Sequence, residues 1–512
     1  LVLVALVLAA SVANLNLAVA NVALPDIGAR FDASQTQLNL VAISFSLGLA
    51  ATVLYLGAVG DRYGRKPMLL AGVGLSVPAG LVAAWAPSIE VLVGARLIGG
   101  LAAGMAFPTT LALITALWAG PPRTRAIALW SAVGGSMAAL GPLVAGWLLG
   151  LAWWGSVFLV TLPLAVLTLP LAARLVPAHV HETTDPVDHC GGVLSMIAVA
   201  ALVMAISLAP QPQQRSTAAV LALVALVAGA LFVRRQRRTD HPLYDLDVAS
   251  RRIFWVAALG GIIVFGSLMG AMFVGQQYLQ NVLGYSTLEA GASIVPAALV
   301  MLVVAPRSAK MIEALGARTT LLTGYACCFA GFLVMLVFWT DDAGIAAVGA
   351  AYVLVGAGVG FAGTPASHSL TSSVPVRRAG MASGTADLQR DLGGAILQSV
   401  LGALLTAGYA VAFSSAIAAS PQADQISADT QTELLRSFSS AEATASRYPE
   451  YAQQIDAAAK QAFTQGQNWA YLAGAVAIAL GAVLVATMFP RHDRELELLA
   501  EYAATDRAGH DA

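Results

Sequence analysis

The sequence predicts an all-α polytopic membrane protein of fourteen spans, and three observations carry that prediction. Of 512 residues, 58% are hydrophobic and 11% charged, with a mean hydropathy of +0.75, whereas a soluble protein carries about 25% charged residues. The apolar residues fall into runs of about 20, the length a helix needs to cross about 30 Å of hydrocarbon. The basic residues cluster in every second connection between those runs. A soluble globular enzyme is thereby excluded. With 27 basic against 28 acidic residues and a net charge of −1, nothing points to a nucleic-acid partner. Cys190, Cys327 and Cys328 are the three cysteines. None falls in a segment expected outside the membrane, so no disulfide framework is expected.

Taken in order, the apolar windows and their breakers give spans at 2–24, 36–59, 67–86, 90–116, 126–150, 156–175, 191–209, 217–234, 253–279, 288–306, 319–339, 344–369, 380–407 and 468–489. The first is long enough to span by itself, so it reads as a helix and not as a cleaved leader. Glycines and prolines inside the runs fit membrane helices, where glycine permits close contact and neighbours satisfy the groups a proline frees. Runs such as Arg62 to Lys66, Arg234 to Arg238 and Arg251-Arg252 fall on one side, against scattered Arg30, Arg215, Arg436, Arg447 and Lys460 on the other. The bias places both termini in the cytoplasm. The longest polar excursion, 408–467, then lies outside, and its mild amphipathicity around Pro449 predicts one or two short surface helices. The tail from Arg491 to Tyr502 alternates charge with leucine, which suits the inner membrane face.

The connection between spans 2 and 3 reads Gly57-Ala-Val-Gly-Asp61-Arg62-Tyr-Gly64-Arg65-Lys66-Pro67. Glycines allow a tight turn at the membrane surface, Asp61 can meet the positive end of a helix, and the basic cluster holds the connection inside. This string resembles the signature of the major facilitator superfamily, G-x-x-x-D-R-x-G-R-K. The resemblance implies a latch between two halves, with Asp61 set against span 13. Arg96, in Leu92-Val-Gly-Ala-Arg96-Leu-Ile-Gly-Gly100, matches the family's span-4 arginine, with Gly99 where glutamine is usual. Facing lipid, it would cost about 2.5–3.5 kcal/mol, so it must face protein or a wet cavity. Gly141-Pro142-Leu-Val-Ala145-Gly146 in span 5 is similar to the exporters' antiporter motif, although glycine packing alone would also use such residues.

Further segments narrow the resemblance to the fourteen-helix drug:proton antiporter branch: Asn21-Val-Ala-Leu-Pro25, His241-Pro242-Leu243, Gln280-Asn-Val-Leu-Gly-Tyr285 and Gly380-Met-Ala-Ser-Gly384. It implies a six-helix half over 1–175, a linker with two inserted helices over 176–252, a second six-helix half over 253–489 and a cytoplasmic tail over 490–512. The sequence departs from that branch where the mechanism is most exposed. Asn16 stands where span 1 usually carries an acid, and an amide cannot titrate. It either lines the cavity or makes a packing hydrogen bond. Gln276, Gln277 and Tyr278 in span 9 are further cavity candidates, and His368 reads as an interfacial histidine more readily than as a proton carrier.

Span 13 supplies ionisable groups that span 1 lacks, in Thr385-Ala-Asp387-Leu-Gln389-Arg390-Asp391. Counted from Gly380, Asp387 lies roughly 10 Å and Asp391 roughly 16 Å along the helix. Uncompensated, the three charges would cost about 8–10 kcal/mol in the membrane. Arg390 can neutralise one carboxylate, with Asp387 expected as its partner, leaving Asp391 to take and release a proton. A static triad that stabilises the helix is the alternative. Arg96 is the further candidate for the proton path.

The expected function is proton-coupled export of lipophilic or amphiphilic small molecules at the bacterial inner membrane by a monomer, in contact with membrane lipids. No catalytic residues, cofactor or metal are expected, and no nucleotide-binding motif for an ATP-driven pump is present. The rivals are an exporter of a physiological lipid or secondary metabolite, and a non-transporting protein that binds a lipid or partner through 408–467.

Overall fold

A run of twenty apolar residues can lie in hydrocarbon only if its own backbone satisfies its N–H and C=O groups, and each such run in this chain is helical. The computed structural model describes residues 1–31, 35–178, 186–209, 214–420 and 426–508. Among the described residues there is no strand, and twelve helices are long and apolar enough to cross a membrane. α1 (Val2–Phe31) adds a thirteenth candidate if its pieces Val2–Leu17 and Val22–Gly28, bent by 41°, are one span. The side chains of Asn21 and Pro25, in the quoted span-1 motif, lie outside the described residues.

The first group comprises α1, α2 (Gln35–Tyr63), α3 (Arg65–Ala84), α4 (Ile89–Leu117), α5 (Pro121–Leu151) and, after a tight turn at Trp154–Leu159, α6 (Leu162–Leu175). Then come α7 (His189–Leu208), α8 (Arg215–Gln236) and the single turn α9 (Leu246–Ala249). The second group comprises α10 (Arg252–Asn281), α11 (Thr287–Ala292), α12 (Val295–Phe338), α13 (Ile345–Ser372), α14 (Ala379–Ala418) and α17 (Ala452–Met488). α12 carries two expected spans in one helical run, broken at Gly316 with φ of 84°. Only glycine adopts that conformation readily, and a Cβ there would also lie 2.8 Å from His492 Nδ1.

Helices in lipid gain little from burying apolar surface against each other, so close backbone approach does the work. In the first group a Cβ on Gly100 would sit 2.1 Å from the Phe45 carbonyl oxygen, which fixes the contact of α4 with α2. The second group uses the same device where Gly324 of α12 meets Gly358 of α13. The groups meet where α2 and α4 pack on α14 and where α5 packs on α12 and α13. α7 and α8 pair with each other, and α7 leans on α2, where the Tyr55 hydroxyl lies 2.7 Å from His189 Nδ1. Asp188 caps α7, accepting from Gly191 N, Arg235 Nε and Gln236 Nε2.

The polar excursion is shorter than expected because both flanking helices continue through it. α14 runs to Ala418 and α17 starts at Ala452, with α15 (Ala428–Arg436) and α16 (Phe438–Arg447) between them. Leu434 and Phe438 are buried, and Tyr409 on α14 donates to the Leu434 carbonyl. The tail forms α18 (His492–Ala508), which docks on the protein: Arg251 pairs with Asp506 at 2.5 Å, and Ala317 N donates to Glu495 Oε2 at 3.1 Å.

Candidate functional site

Two sites join the groups, and α14 contributes to both. At its N-terminus, Asp61 is 5% exposed and its Oδ2 accepts from Gly380 N at 2.7 Å, in the first turn of α14. Unsatisfied N–H groups and the helix dipole favour a carboxylate there. Its Oδ1 accepts from Arg65 Nε at 2.9 Å, and Arg65 reaches across to the Val376 carbonyl at 3.1 Å. Gly57 is needed because a Cβ there would lie 3.0 Å from the Gly380 carbonyl oxygen. Gly64, at φ 115°, turns the chain between α2 and α3. Arg62 stacks on Tyr63, and Lys66 is half-buried. Arg378 donates to the Pro242 carbonyl, which ties the segment after α8 to the same junction.

Two to three turns further along α14 lies the second site. Asp387 is 1% and Arg390 8% exposed, and Asp391 is half-buried. The expected Asp387–Arg390 pair is absent among the described residues. Both Asp387 oxygens, all three guanidinium nitrogens and Asp391 Oδ2 are buried without a hydrogen-bond partner. Arg390 instead projects among three rings, its guanidinium carbon 5.1 Å from Phe107, 5.2 Å from Trp130 and 4.8 Å from Phe265. Phe107 and Trp130 come from α4 and α5, and Phe265 from α10, so the cage draws on both groups. Desolvated cation–π contacts are worth about 2 kcal/mol, which compensates the arginine and does nothing for the carboxyl groups. No local signal in the sequence marks these rings, because three distant helices bring them together.

The other candidates are dispersed. Arg96 donates to the Val41 carbonyl at 2.7 Å and lies over Phe45 and Phe158, so it faces protein, in contact with α2 and the turn before α6. Asn16 donates to Thr161 Oγ1 at 3.0 Å, which is the packing alternative in geometric terms. Gln276 donates to the Ala290 carbonyl, and Gln277 to the Phe273 carbonyl on its own helix. Tyr278 is fully buried against Trp339, ring centroids 4.9 Å apart, with its hydroxyl on the Thr340 carbonyl, so it belongs to an aromatic cluster within the second group. Gly141, Pro142 and Gly146 lie on unbroken α5. That stretch faces α11: a Cβ on Gly146 would be 4.0 Å from Leu288 Cα, and one on Gly291 would be 3.3 Å from Leu143 Cα. His368 keeps Nδ1 buried without a partner.

This arrangement, two helical groups joined by an Asp61 latch at the first turn of α14, meets an independent result: the sequence profile of the Major Facilitator Superfamily matches residues 6–398. The chain belongs to the major facilitator superfamily. Within that superfamily it is similar to the multidrug efflux pump LfrA of Mycolicibacterium smegmatis, 36% identical over 76% of this chain and 77% of the relative. Multidrug resistance protein Stp of Mycobacterium tuberculosis is 34% identical over 76% of this chain and 72% of its own length. Methyl viologen resistance protein SmvA of Salmonella typhimurium is 30% identical over 80% and 83%. The proton:xylose symporter XylE superposes with a TM-score of 0.60 at 14% identity, covering 96% of this chain and 95% of that one, a likeness of fold alone. The major facilitator assignment makes this chain a multi-pass membrane transporter.

Proposed function

We propose that this transporter exports lipophilic or amphiphilic small molecules across the bacterial inner membrane in exchange for protons, by alternating access between α1–α6 and α10–α17. The observation that carries the reading is the cluster of buried Asp387 and Arg390 and half-buried Asp391 at the seam between the groups, with no hydrogen bond or ion pair to its carboxyl groups among the described residues. A carboxyl group without a cationic partner is tolerable in the membrane when it carries a proton or meets water. Coupling then follows if the proton leaves in one conformation and returns in the other. The efflux pumps among its relatives support an exporter of drug type. Fourteen spans follow if bent α1 is one span and α12 is two, either side of Gly316. The positive-inside bias puts both termini and the Asp61 latch in the cytoplasm, so the engaged latch corresponds to a form closed on that side, acting as a monomer.

The test is purified protein in proteoliposomes with an imposed pH gradient and a chemically broad panel that includes methyl viologen, the compound in the name of its SmvA relative. Substrate-dependent dissipation of the gradient supports antiport. Substrate movement that leaves the gradient intact removes the proton, and no movement of any compound removes the exporter.

A further inference from the structure

Of the twelve candidate spans among the described residues, α8 is the least covered by protein. In its most apolar window 17% is buried, against 33% or more in each of the other eleven candidate spans, so lipid is its main neighbour. The lipid-facing side is not uniform. Leu226, Gly229 and Val233 line a shallow trough, open to its surroundings and formed by α8 alone, that runs up to Arg234, Arg237 and Arg238. Leu226 is 71% exposed, and a Cβ on Gly229 would meet nothing within 4 Å, so the trough is open along its apolar length. Arg235, in the same run, is held by Asp188 at 2.7 Å. Arg234, Arg237 and Arg238 are exposed, and among the described residues their side chains have no hydrogen bond or ion pair.

Positive charge at the end of a membrane helix is needed for topology alone, but topology does not need an apolar trough leading into the charges. The combination has the shape of one ligand class: a phosphate for the guanidinium forks, continuous with a hydrocarbon chain for the trough. We propose that Arg234, Arg237 and Arg238, with the trough over Leu226, Gly229 and Val233, bind an anionic phospholipid. Its phosphate lies among the three guanidinium groups and an acyl chain along α8. The assignment of this lipid to the inner leaflet rests on the orientation proposed above; the site itself does not. Gln236, which follows Arg235, accepts from Tyr244 N, so the lipid lies next to the segment that Arg378 grips beside the latch.

The experiment is native mass spectrometry of the full chain in detergent, titrated with phosphatidylglycerol or with phosphatidylcholine of the same acyl chains. The wild type is expected to prefer phosphatidylglycerol by about tenfold or more. The triple variant Arg234→Gln, Arg237→Gln, Arg238→Gln brings the two lipids to parity, while Arg307→Gln with Lys310→Gln, elsewhere on the same side, leaves the preference in place. Gly229→Leu retains every charge and the topology signal, and is expected to weaken both lipids by filling the trough. Excess inorganic phosphate leaves the lipid bound. A triple variant that keeps the preference would overturn the proposal, as would Gly229→Leu binding like the wild type, an equal loss in the Arg307 and Lys310 control, or displacement by phosphate, which would mark an anion site only. Because the readout is binding, its failure leaves the antiport reading standing, and the reverse also holds.

Discussion

The latch and the membrane cluster are built from the same parts and treated in opposite ways. Each places aspartate and arginine at the contact between α14 and the first group, and both are nearly inaccessible. At the latch both Asp61 oxygens accept hydrogen bonds, from Gly380 N and from Arg65. Roughly 10 Å along the helix, among the described residues, Asp387 has none and Arg390 has aromatic faces in place of hydrogen bonds. A satisfied buried network fixes one geometry, whereas an unsatisfied one is costly until something arrives to satisfy it. On the antiport reading proposed above, the latch is the part that holds a conformation and the cluster the part that changes protonation.

The largest expected effect is at the cluster. Asp391→Asn is expected to lower proton-driven uphill export by at least about 100-fold, the scale of losing a functional proton-transfer group, while binding and downhill exchange persist. Asp387→Asn tests whether the two acids act as a pair, because coupled groups share their titration. Uphill flux and exchange are to be measured in the same proteoliposomes. Full proton-driven export in both single variants makes the cluster structural and shifts attention to His368. Lower exchange together with lower export would remove the distinction from the latch.

Asp61→Asn comes next. Removing one partner of a buried pair costs about 3–5 kcal/mol, here charged to the latched conformation through Arg65. The balance between conformations shifts, and transport is expected to fall by about tenfold at unchanged expression. Transport assays normalised to protein in the membrane check this. Normal transport by a well-expressed variant would show that the latch geometry is incidental to the cycle.

These two sites also mark what the sequence could convey. The latch motif was legible because its requirements are local: Gly57, Asp61, Gly64 and Arg65 stand at fixed spacing, and in the structure Gly57 lies against Gly380, Asp61 accepts from Gly380 N and Arg65, and Gly64 has positive φ. The ionisable groups of α14 were legible too, since charge in an apolar run needs no context. Their surroundings were not. The pairing expected from i, i+3 spacing gave way to Phe107, Trp130 and Phe265, which lie on three other helices. Likewise the sequence carried no sign of the contacts by which α18 docks on Arg251 and Ala317. Long-range packing decided each case.

That docking gives a third, smaller effect. Glu495 is 5% exposed, and burial pushes its carboxyl up to about 7, opposed by the hydrogen bond from Ala317 N. A carboxyl raised from 4.5 binds its proton more tightly when docked. Its contribution is therefore complete below about pH 4.5 and lost as the pH rises through about 7. Hydrogen exchange across 492–508, corrected for intrinsic rates, is expected to be faster at about pH 8 than at about pH 5. Glu495→Gln, in a His492→Gln background so that the neighbouring imidazole does not contribute, should remove most of that difference. Equal exchange at both pH values in the His492→Gln parent would detach the tail from Glu495.

The smallest effect is expected at Asn16, and it sharpens the contrast by asking whether any coupling remains outside α14. Its amide donates to Thr161 Oγ1 at 3.0 Å and to the Val12 carbonyl at 3.2 Å, joining α1 to the turn before α6. Asn16→Ala loses that link and leaves the buried Thr161 hydroxyl with one partner fewer, at a cost of about 1 kcal/mol. A fall of about 2 °C in Tm is expected. An amide neither gains nor releases a proton in this range, so the pH profile of transport should not move. Substrate affinity is the discriminating measurement, because a side chain engaged in packing changes it little, whereas a cavity-lining amide changes it together with selectivity. A large change in affinity with an unmoved pH profile would return Asn16 to the cavity and leave the cluster as the coupling site. A displaced pH profile would tell against the division itself, since the proton path would then pass through α1, whose apolar run up to Leu24 has no acid to carry it.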